Sequence, residues 1–327
     1  MSHNQLAKSI EFIEEFIERQ KIKSLLVAFS GGQDSAALMH ILEQTKQYNE
    51  NKIDISYIYI DHQWRKNSYK QTKQMINYMS SVNSRIVVYQ IQGKMKSENS
   101  CRIQRYHTII QHALKSRYEL IITGHHNDDK IETFFQNIYR GCGIEGINSL
   151  VSRSELCNNI FLLRPILDLD RYRLYWLCKK MNLPIWSDNT NYFYSIKRNR
   201  LRNELIPYIE NFYCQHTKSH ITYLTKIYYY ENEYIKQKCI KLYLKLQHRS
   251  RIAINYNLLA KNHFALQTRV LQLFIFHNFR LNADVHKVLN FINNIRNEKV
   301  NSKVPIYHEK VRYFIGSKWI YVKIDYR

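Results

Sequence analysis

Residues Ser24–Leu42 read SLLVAFSGGQDSAALMHIL. An apolar run, Leu25 to Phe29, breaks into Ser30-Gly31-Gly32-Gln33-Asp34-Ser35, and a helix-like run follows at once. Strand, glycine turn and helix in that order build a phosphate cradle. The glycines let backbone N–H groups approach phosphate oxygens, and the helix offers the positive end of its dipole. Ser30 and Ser35 add hydroxyl donors. The Lys-Ser/Thr ending of the commonest nucleotide loop is missing, so γ-phosphoryl transfer of the kind run by loops that carry it is not expected. Asp34 repels a bare phosphate and is expected to act through Mg²⁺, which takes carboxylate and phosphate oxygens together. A loop that holds pyrophosphate while the α-phosphorus reacts fits this residue set.

Outward from this stretch, strand-like and helix-like segments alternate. Ser24–Phe29, Ile53–Asp61, Arg85–Ile91 and Leu120–Gly124 read as strands, and Asn4–Arg19, Asp34–Gln44, Tyr69–Val82, Glu98–Ser116 and Asp128–Arg140 as helices. Short β-branched runs between amphipathic helices predict an α/β fold, a parallel twisted sheet with helices on both faces. Ligands of such sheets bind beyond the C-terminal strand ends. Ile160–Leu163 reads as a further strand and Asp168–Met181 as a further helix, ahead of the polar, turn-rich stretch WSDNTNYFYSIKRNRLRNELIP. A boundary near Asn211–Lys218 predicts a catalytic domain over 1–212 and a smaller, basic domain over 213–327. The latter reads as mainly helical to about Asn297, then as short strands in KVPIYHEKVRYFIGSKWIYVKI.

The charge agrees with that division. Among 327 residues, 49 are basic and 27 acidic, a net charge of +22. Residues 198–327 hold 23 of the basic and 8 of the acidic ones, a net of +15 in the smaller part. Such asymmetry points to a polyanionic partner, here nucleic acid. The six cysteines are scattered with no Cys-x-x-Cys pair, which speaks against a disulfide framework or a clustered zinc site. Apolar runs are too short to span a bilayer, so no membrane association is expected. The N-terminus carries four glutamates and neither a signal-peptide core nor transit-peptide composition. The bias to Lys, Asn, Ile and Tyr suggests an AT-rich genome, that of an organelle or a reduced bacterium.

A second polar motif lies in TGHHNDDKIETFFQNIYRGCGIEGI, Thr123–Ile147. Asp128, Asp129 and Glu132 fall at the start of a helix just after a strand, and Asp129 and Glu132, three apart, share a face. N-capping accounts for one acid comfortably and for three poorly. A cationic substrate or a metal accounts for the surplus. His125, beside the acids, is a candidate for a nucleotide or base contact and equally for a hydrogen-bonded structural role. Tyr228, Tyr229 and Tyr230 could stack on bases; their helical spacing predicts core.

Ser-Gly-Gly-x-Asp-Ser after the first strand resembles the loop of the PP-loop ATP pyrophosphatases, the adenine nucleotide alpha-hydrolase-like superfamily. Within it, five further motifs resemble the tRNA(Ile)-lysidine synthetase family in colinear order from Ser24 to Pro207. They are the Thr123–Ile147 segment, Asp61-His62-Gln63-Trp64-Arg65, Glu98-Asn99-Ser100-Cys101-Arg102-x-x-Arg105-Tyr106, Arg164-Pro165-Ile166-Leu167, and Trp186–Asn191 with Arg198–Pro207. The match departs from the family at His62-Gln63-Trp64-Arg65, where an Asn-His-Gly-Leu-Arg-like run is usual, and at Cys101, where alanine is common.

The resemblance implies ATP-dependent attachment of free L-lysine to position two of the wobble cytidine in a CAU-anticodon tRNA(Ile), through an adenylated cytidine. Ser30, Gly31, Gly32, Gln33, Asp34 and Ser35 would bind ATP, with Asp34 organising Mg²⁺. Asp129 and Glu132, with Asp128 and His125 nearby, would bind lysine and serve catalysis. Arg105, Arg198, Arg200 and Arg202 would contact leaving groups or tRNA phosphates. The resemblance also allows a homodimer. The composition bias would put the activity in bacterial cytoplasm or, if the gene is organelle-encoded in an AT-rich genome, in plastid stroma. The alternatives are a cytidine thiolase, which commonly calls on Cys-x-x-Cys pairs or an iron–sulfur cluster, and an inactive tRNA-binding relative.

Overall fold

The computed structural model describes residues 3–48, 53–61, 63, 68–91, 98–148, 150–157, 159–186, 197–297, 306–308, 311–316 and 318–324. His62, Trp64, Arg65 and 187–191 of the motifs above therefore lie outside the described residues. The chain forms two compact units, Met1–Thr225 and Lys226–Arg327, and the division falls inside a long helix, Thr217–Leu246.

The first unit runs α1 (His3–Gln20), β1 (Ser24–Ala28), α2 (Gln33–Tyr48), β2 (Asp54–Asp61), α3 (Ser68–Ser81), β3 (Arg85–Gln90), α4 (Glu98–Lys115), β4 (Leu120–Thr123) and α5 (Asn127–Tyr139). The short α6 (Ile144–Ile147), β5 (Arg153–Cys157), β6 (Ile160–Leu163) and α7 (Arg171–Lys180) follow. Then come α8 (Lys197–Arg200), a π-helical turn (Leu201–Leu205), α9 (Ile206–Phe212) and the start of α10 (Thr217–Leu246). The strand order is β3-β2-β1-β4-β6-β5. All neighbours are parallel except β5 and β6. The chain leaves β1 toward β2 and β3, then returns to β4 on the other side. The order reverses between β1 and β4, which makes their C-terminal ends the natural ligand crevice.

Alternation along the strands feeds two cores. Leu25 and Val27 of β1, Tyr57, Leu120 and Ile122 pack with α1, α2, α3 and α7 on one face. Leu26, Ile58, Ile121 and Leu162 pack with Ile109 and Ala113 of α4 on the other. Both faces are covered, so the strands carry nearly unbroken apolar runs. Each fully buried aliphatic side chain contributes about 1.5–3 kcal/mol.

Three features differ from the sequence reading of this unit. The stretch read as polar and turn-rich is helical from Lys197 onward, through α8, the π-helical turn and α9. The helix expected from Asp168 starts at Arg171, because Asp170 is an extended N-cap residue whose carboxylate accepts from Asn127 Nδ2 at 3.0 Å. The antiparallel edge strand β5 was not expected. It pairs with β6, just ahead of which Asn159 adopts φ +62, a conformation asparagine tolerates.

In the second unit, β7 (Ala253–Asn255), α11 (Tyr256–Ala260), α12 (Phe264–Phe279), α13 (Val285–Asn297), β8 (Ile306–His308), β9 (Val311–Ile315) and β10 (Trp319–Ile324) follow the remainder of α10. The strands form an antiparallel sheet ordered β7-β10-β9-β8. Its core includes Tyr243, Ile254, Phe274, Val288 and Ile320. The stretch read as helical to Asn297 is interrupted by β7, whose three residues pair along their length with the distant β10, while Ile254 also bridges to Gln247. Tyr229 and Tyr230, read as core, are exposed. They occupy the outward side of α10, where helical spacing alone does not say which face is covered.

Candidate active site

The loop after β1 closes on itself. Ser35 Oγ donates to the Gly32 carbonyl at 2.9 Å and lies 3.2 Å from Ser30 Oγ. Gly31 adopts φ +76, and its carbonyl accepts from Trp186 N–H at 2.8 Å. A Cβ at Gly31 would meet Met75 Sδ at 2.5 Å. Helix α2 starts at Gln33, so the loop wraps a helix N-terminus. Gln33 itself faces α7, its side chain donating to the Arg171 carbonyl at 3.4 Å. Asp34 Oδ1 is buried with no hydrogen-bond partner among the described residues. An orphaned carboxylate oxygen beside a phosphate-shaped loop fits a cation shared with phosphate oxygens, as Mg²⁺ requires.

The end of β4 comes against this loop. A Cβ at Gly124 would lie 3.3 Å from the Asp34 carbonyl, so glycine permits the close approach. His125 Nδ1 lies 2.9 Å from Thr123 Oγ1, and burial pushes its pKa down to about 3, which keeps the ring neutral. The next residue, His126, is 1 % exposed and sits among three carboxylates. Its Nε2 lies 3.5 Å from both Asp34 Oδ2 and Asp129 Oδ2, and its Nδ1 lies 3.7 Å from Asp128 Oδ2. Burial alone would lower the His126 pKa, but Asp129, Asp34 and Asp128 together outweigh it and raise it.

Helix α5 begins with these acids. Burial opposes ionisation of Asp129, yet His126, Arg198, His125 and the His126 N–H at 3.1 Å hold its pKa down to about 2. For Asp128, burial is outweighed by the Arg171 N–H at 2.8 Å, Lys218 at 3.2 Å and His126, and its pKa is lowered. Asp129 and Glu132 share a face, as expected, and two arginines reach them across the groove. Arg198 binds Asp129 through Nη2 and donates from Nε to Glu132 Oε2 at 2.5 Å. Arg202 donates from Nε to Glu132 Oε1 at 2.5 Å and approaches Asp129 Oδ1 at 3.4 Å. Pro207, near the start of α9, has no N–H and crowds the carbonyl four residues back; the helix widens to π form over Leu201–Leu205 just ahead of it.

The structure thus brings Ser30–Ser35, His125, Asp128, Asp129, Glu132, Arg198 and Arg202 to one crevice. Arg200 stands apart, exposed and paired with Glu204 at 2.9 Å. Desolvation of the Arg105 guanidinium, with Arg198 and Arg102 nearby, lowers its pKa. Sequence reasoning missed His126, Arg171 and Lys218 as partners of the acids. The doubled histidine ahead of Asn-Asp-Asp was the available signal for the first.

Residues 5–209 match the family model of the PP-loop domain. The chain is 39% identical over 316 residues to a chloroplastic tRNA(Ile)-lysidine synthase of Gracilaria tenuistipitata var. liui, covering 97% of this chain and 98% of that protein. It is 34% identical over 301 residues to the chloroplastic tRNA(Ile)-lysidine synthase of Pyropia yezoensis, covering 91% and 89%. Among solved structures, a U34-tRNA thiolase from Methanococcus maripaludis superposes with a TM-score of 0.57 at 13% identity, over 71% of this chain and 81% of that one. That likeness concerns the fold alone. With the loop, the buried acids and near full-length identity in agreement, the chain belongs to the tRNA(Ile)-lysidine synthase family of PP-loop enzymes.

Proposed function

We propose that lysidine formation on tRNA(Ile), the activity of this ATP-using family, runs here in two steps divided between the two halves of the crevice. In the first, the C2 carbonyl oxygen of the wobble cytidine attacks the α-phosphorus of ATP and pyrophosphate leaves. The Ser30–Ser35 loop would hold the phosphates, with Asp34 sharing Mg²⁺ with them to offset the charge of the leaving group. In the second, the ε-amine of lysine forms a bond to C2, the C2–O bond breaks, and AMP departs with that oxygen. The amine loses a proton in this step; with a pKa of about 10.4 it needs a base, and a carboxylate of the crevice can accept the proton.

One observation carries the reading. The loop and the carboxylate pair are joined by a buried residue, His126, 3.5 Å from Asp34 and from Asp129. That contact links the nucleotide carboxylate to the proposed lysine carboxylates within one crevice. Asp129 and Glu132 already hold guanidinium groups, so the pair is built for a cation. A lysine ammonium competes with Arg198 and Arg202 for the same oxygens, and the displaced guanidiniums become available to phosphate. The chloroplastic relatives and the one from Nostoc sp. support work in a plastid stroma or bacterial cytoplasm.

The test supplies labelled lysine, ATP, Mg²⁺ and two transcripts bearing CAU, an isoleucine tRNA and a methionine tRNA. Lysine enters only the isoleucine transcript, and Asp34→Ala abolishes it. Pyrophosphate release without lysine incorporation would point instead to another nucleophile.

A further inference from the structure

Next to the crevice, the outer sides of α5 and of the helical segment 197–208 enclose an open cavity of about 720 Å³. Its lining includes the apolar Leu201 and Leu205 and the aromatic Tyr139 and Tyr208. These rings are 65% and 52% exposed, although such area is normally covered. Tyr208 extends the aromatic surface, lying 4.9 Å from the Phe212 ring and 5.9 Å from the Tyr213 ring, both themselves exposed. Among the described residues that line it, Arg140, Lys197 and Arg200 bring three cations against one acid, Glu204. Aromatic faces with a cationic rim suit a single-stranded nucleotide, whose base stacks and whose phosphate is neutralised.

The placement says which nucleotide. Glu132 of the crevice and Gln136 of the cavity are one turn apart on α5, about 6 Å along its axis. The facing helix is shared in the same way, since Arg198 and Arg202 look to the acids while Arg200, Leu201 and Leu205 line the cavity. An RNA strand that delivers one base to Glu132 has its neighbour at this cavity. We propose that the cavity is a stacking pocket for the nucleotide adjoining the modified cytidine, with Tyr208 and Tyr139 as its platform. The inference rests on the lysidine reading above and extends it to a recognition element outside the reacting groups.

The experiment measures lysine incorporation, as kcat/KM for tRNA, with the full chain and three CAU-bearing isoleucine transcripts. One is intact; the others are abasic at the 5′ or the 3′ neighbour of the modified cytidine. One abasic transcript is expected to lose roughly tenfold with the unsubstituted chain. Tyr208→Ala loses a similar factor on the intact transcript and no more on the abasic one, while Tyr208→Phe, which keeps the ring, retains the parent value. Tyr139→Ala gives an independent second cycle. If neither abasic site matters, or if losses from protein and RNA multiply, the pocket is overturned. If the unsubstituted chain incorporates no lysine into any transcript, the lysidine reading itself falls, and the pocket with it.

Discussion

Glu132 is 1 % exposed, and each of its oxygens accepts from a different arginine. Glu132→Gln keeps the size and removes the charge, leaving Arg198 and Arg202 with one buried carboxylate between them. Breaking a buried pair from one side costs about 3–5 kcal/mol, and the partial exposure of both arginines sets the expected loss at about 3 kcal/mol, readable in urea unfolding. The same variant should raise the KM for lysine more than tenfold while tRNA-dependent pyrophosphate release persists; unchanged lysine KM would remove Glu132 from the lysine site. The acids also set a pH dependence. Asp129 has its pKa depressed from 3.8 to about 2, so its contribution is complete above about 4 and is lost as pH falls toward 2. His126 has a raised pKa, so its contribution is complete below about 6.5 and fades as pH rises through its folded value. Stability should therefore fall on both sides of weakly acidic pH, and Asp129→Asn should flatten the acid limb in a series of urea titrations. The acids were legible because three residues of spacing fixes a helix face. Their arginine partners were not, because pairings spanning 66 to 70 residues depend on how α8 meets α5.

At the scale of elements, the crevice depends on how closely β4 can pass the start of α2. Gly124→Ala would set a methyl 3.3 Å from the Asp34 carbonyl and 3.5 Å from the Ser35 nitrogen, pressing directly on the loop. The expected result is a several-fold higher KM for ATP and a loss of about 1 kcal/mol, with lysine KM unchanged. Gly31→Ala is the harsher change. Its φ of +76 costs an L-residue about 1–2 kcal/mol, and the fully buried Met75 must also move. Equal ATP KM for both variants and the parent would show that the loop tolerates displacement. The parallel strands and their helices were legible from alternating runs of adequate length, which is why β1 to β4 and β6 stand where the pattern put them. β5 and β7 were not. The first alternates too weakly at a sheet edge, and the second is three residues held by β10, more than 60 positions on. Local propensity carries no information about such a partner.

For the whole molecule the governing quantity is charge. A net of +22, with +15 in residues 198–327, meets a substrate that carries one negative charge per nucleotide. Each phosphate neutralised by Lys or Arg releases a counterion, so affinity falls steeply with salt in proportion to the number of phosphates engaged. Free lysine, a small solute with a net charge of one, has no comparable counterion atmosphere. Raising salt from about 50 to about 200 mM should therefore lower kcat/KM for tRNA by tenfold or more while leaving the KM for lysine within about twofold. Arg249 and Arg251 are exposed in the turn between α10 and β7, within the more basic part of the chain. Substituting both with Gln should leave the second unit's core untouched and make the log–log salt slope shallower by about one for each phosphate that is no longer neutralised. An unchanged slope in that variant would assign phosphate binding to other cations. A flat slope in the parent chain would mean that the basic surface serves solubility, and that tRNA is selected by the crevice and its neighbouring residues alone.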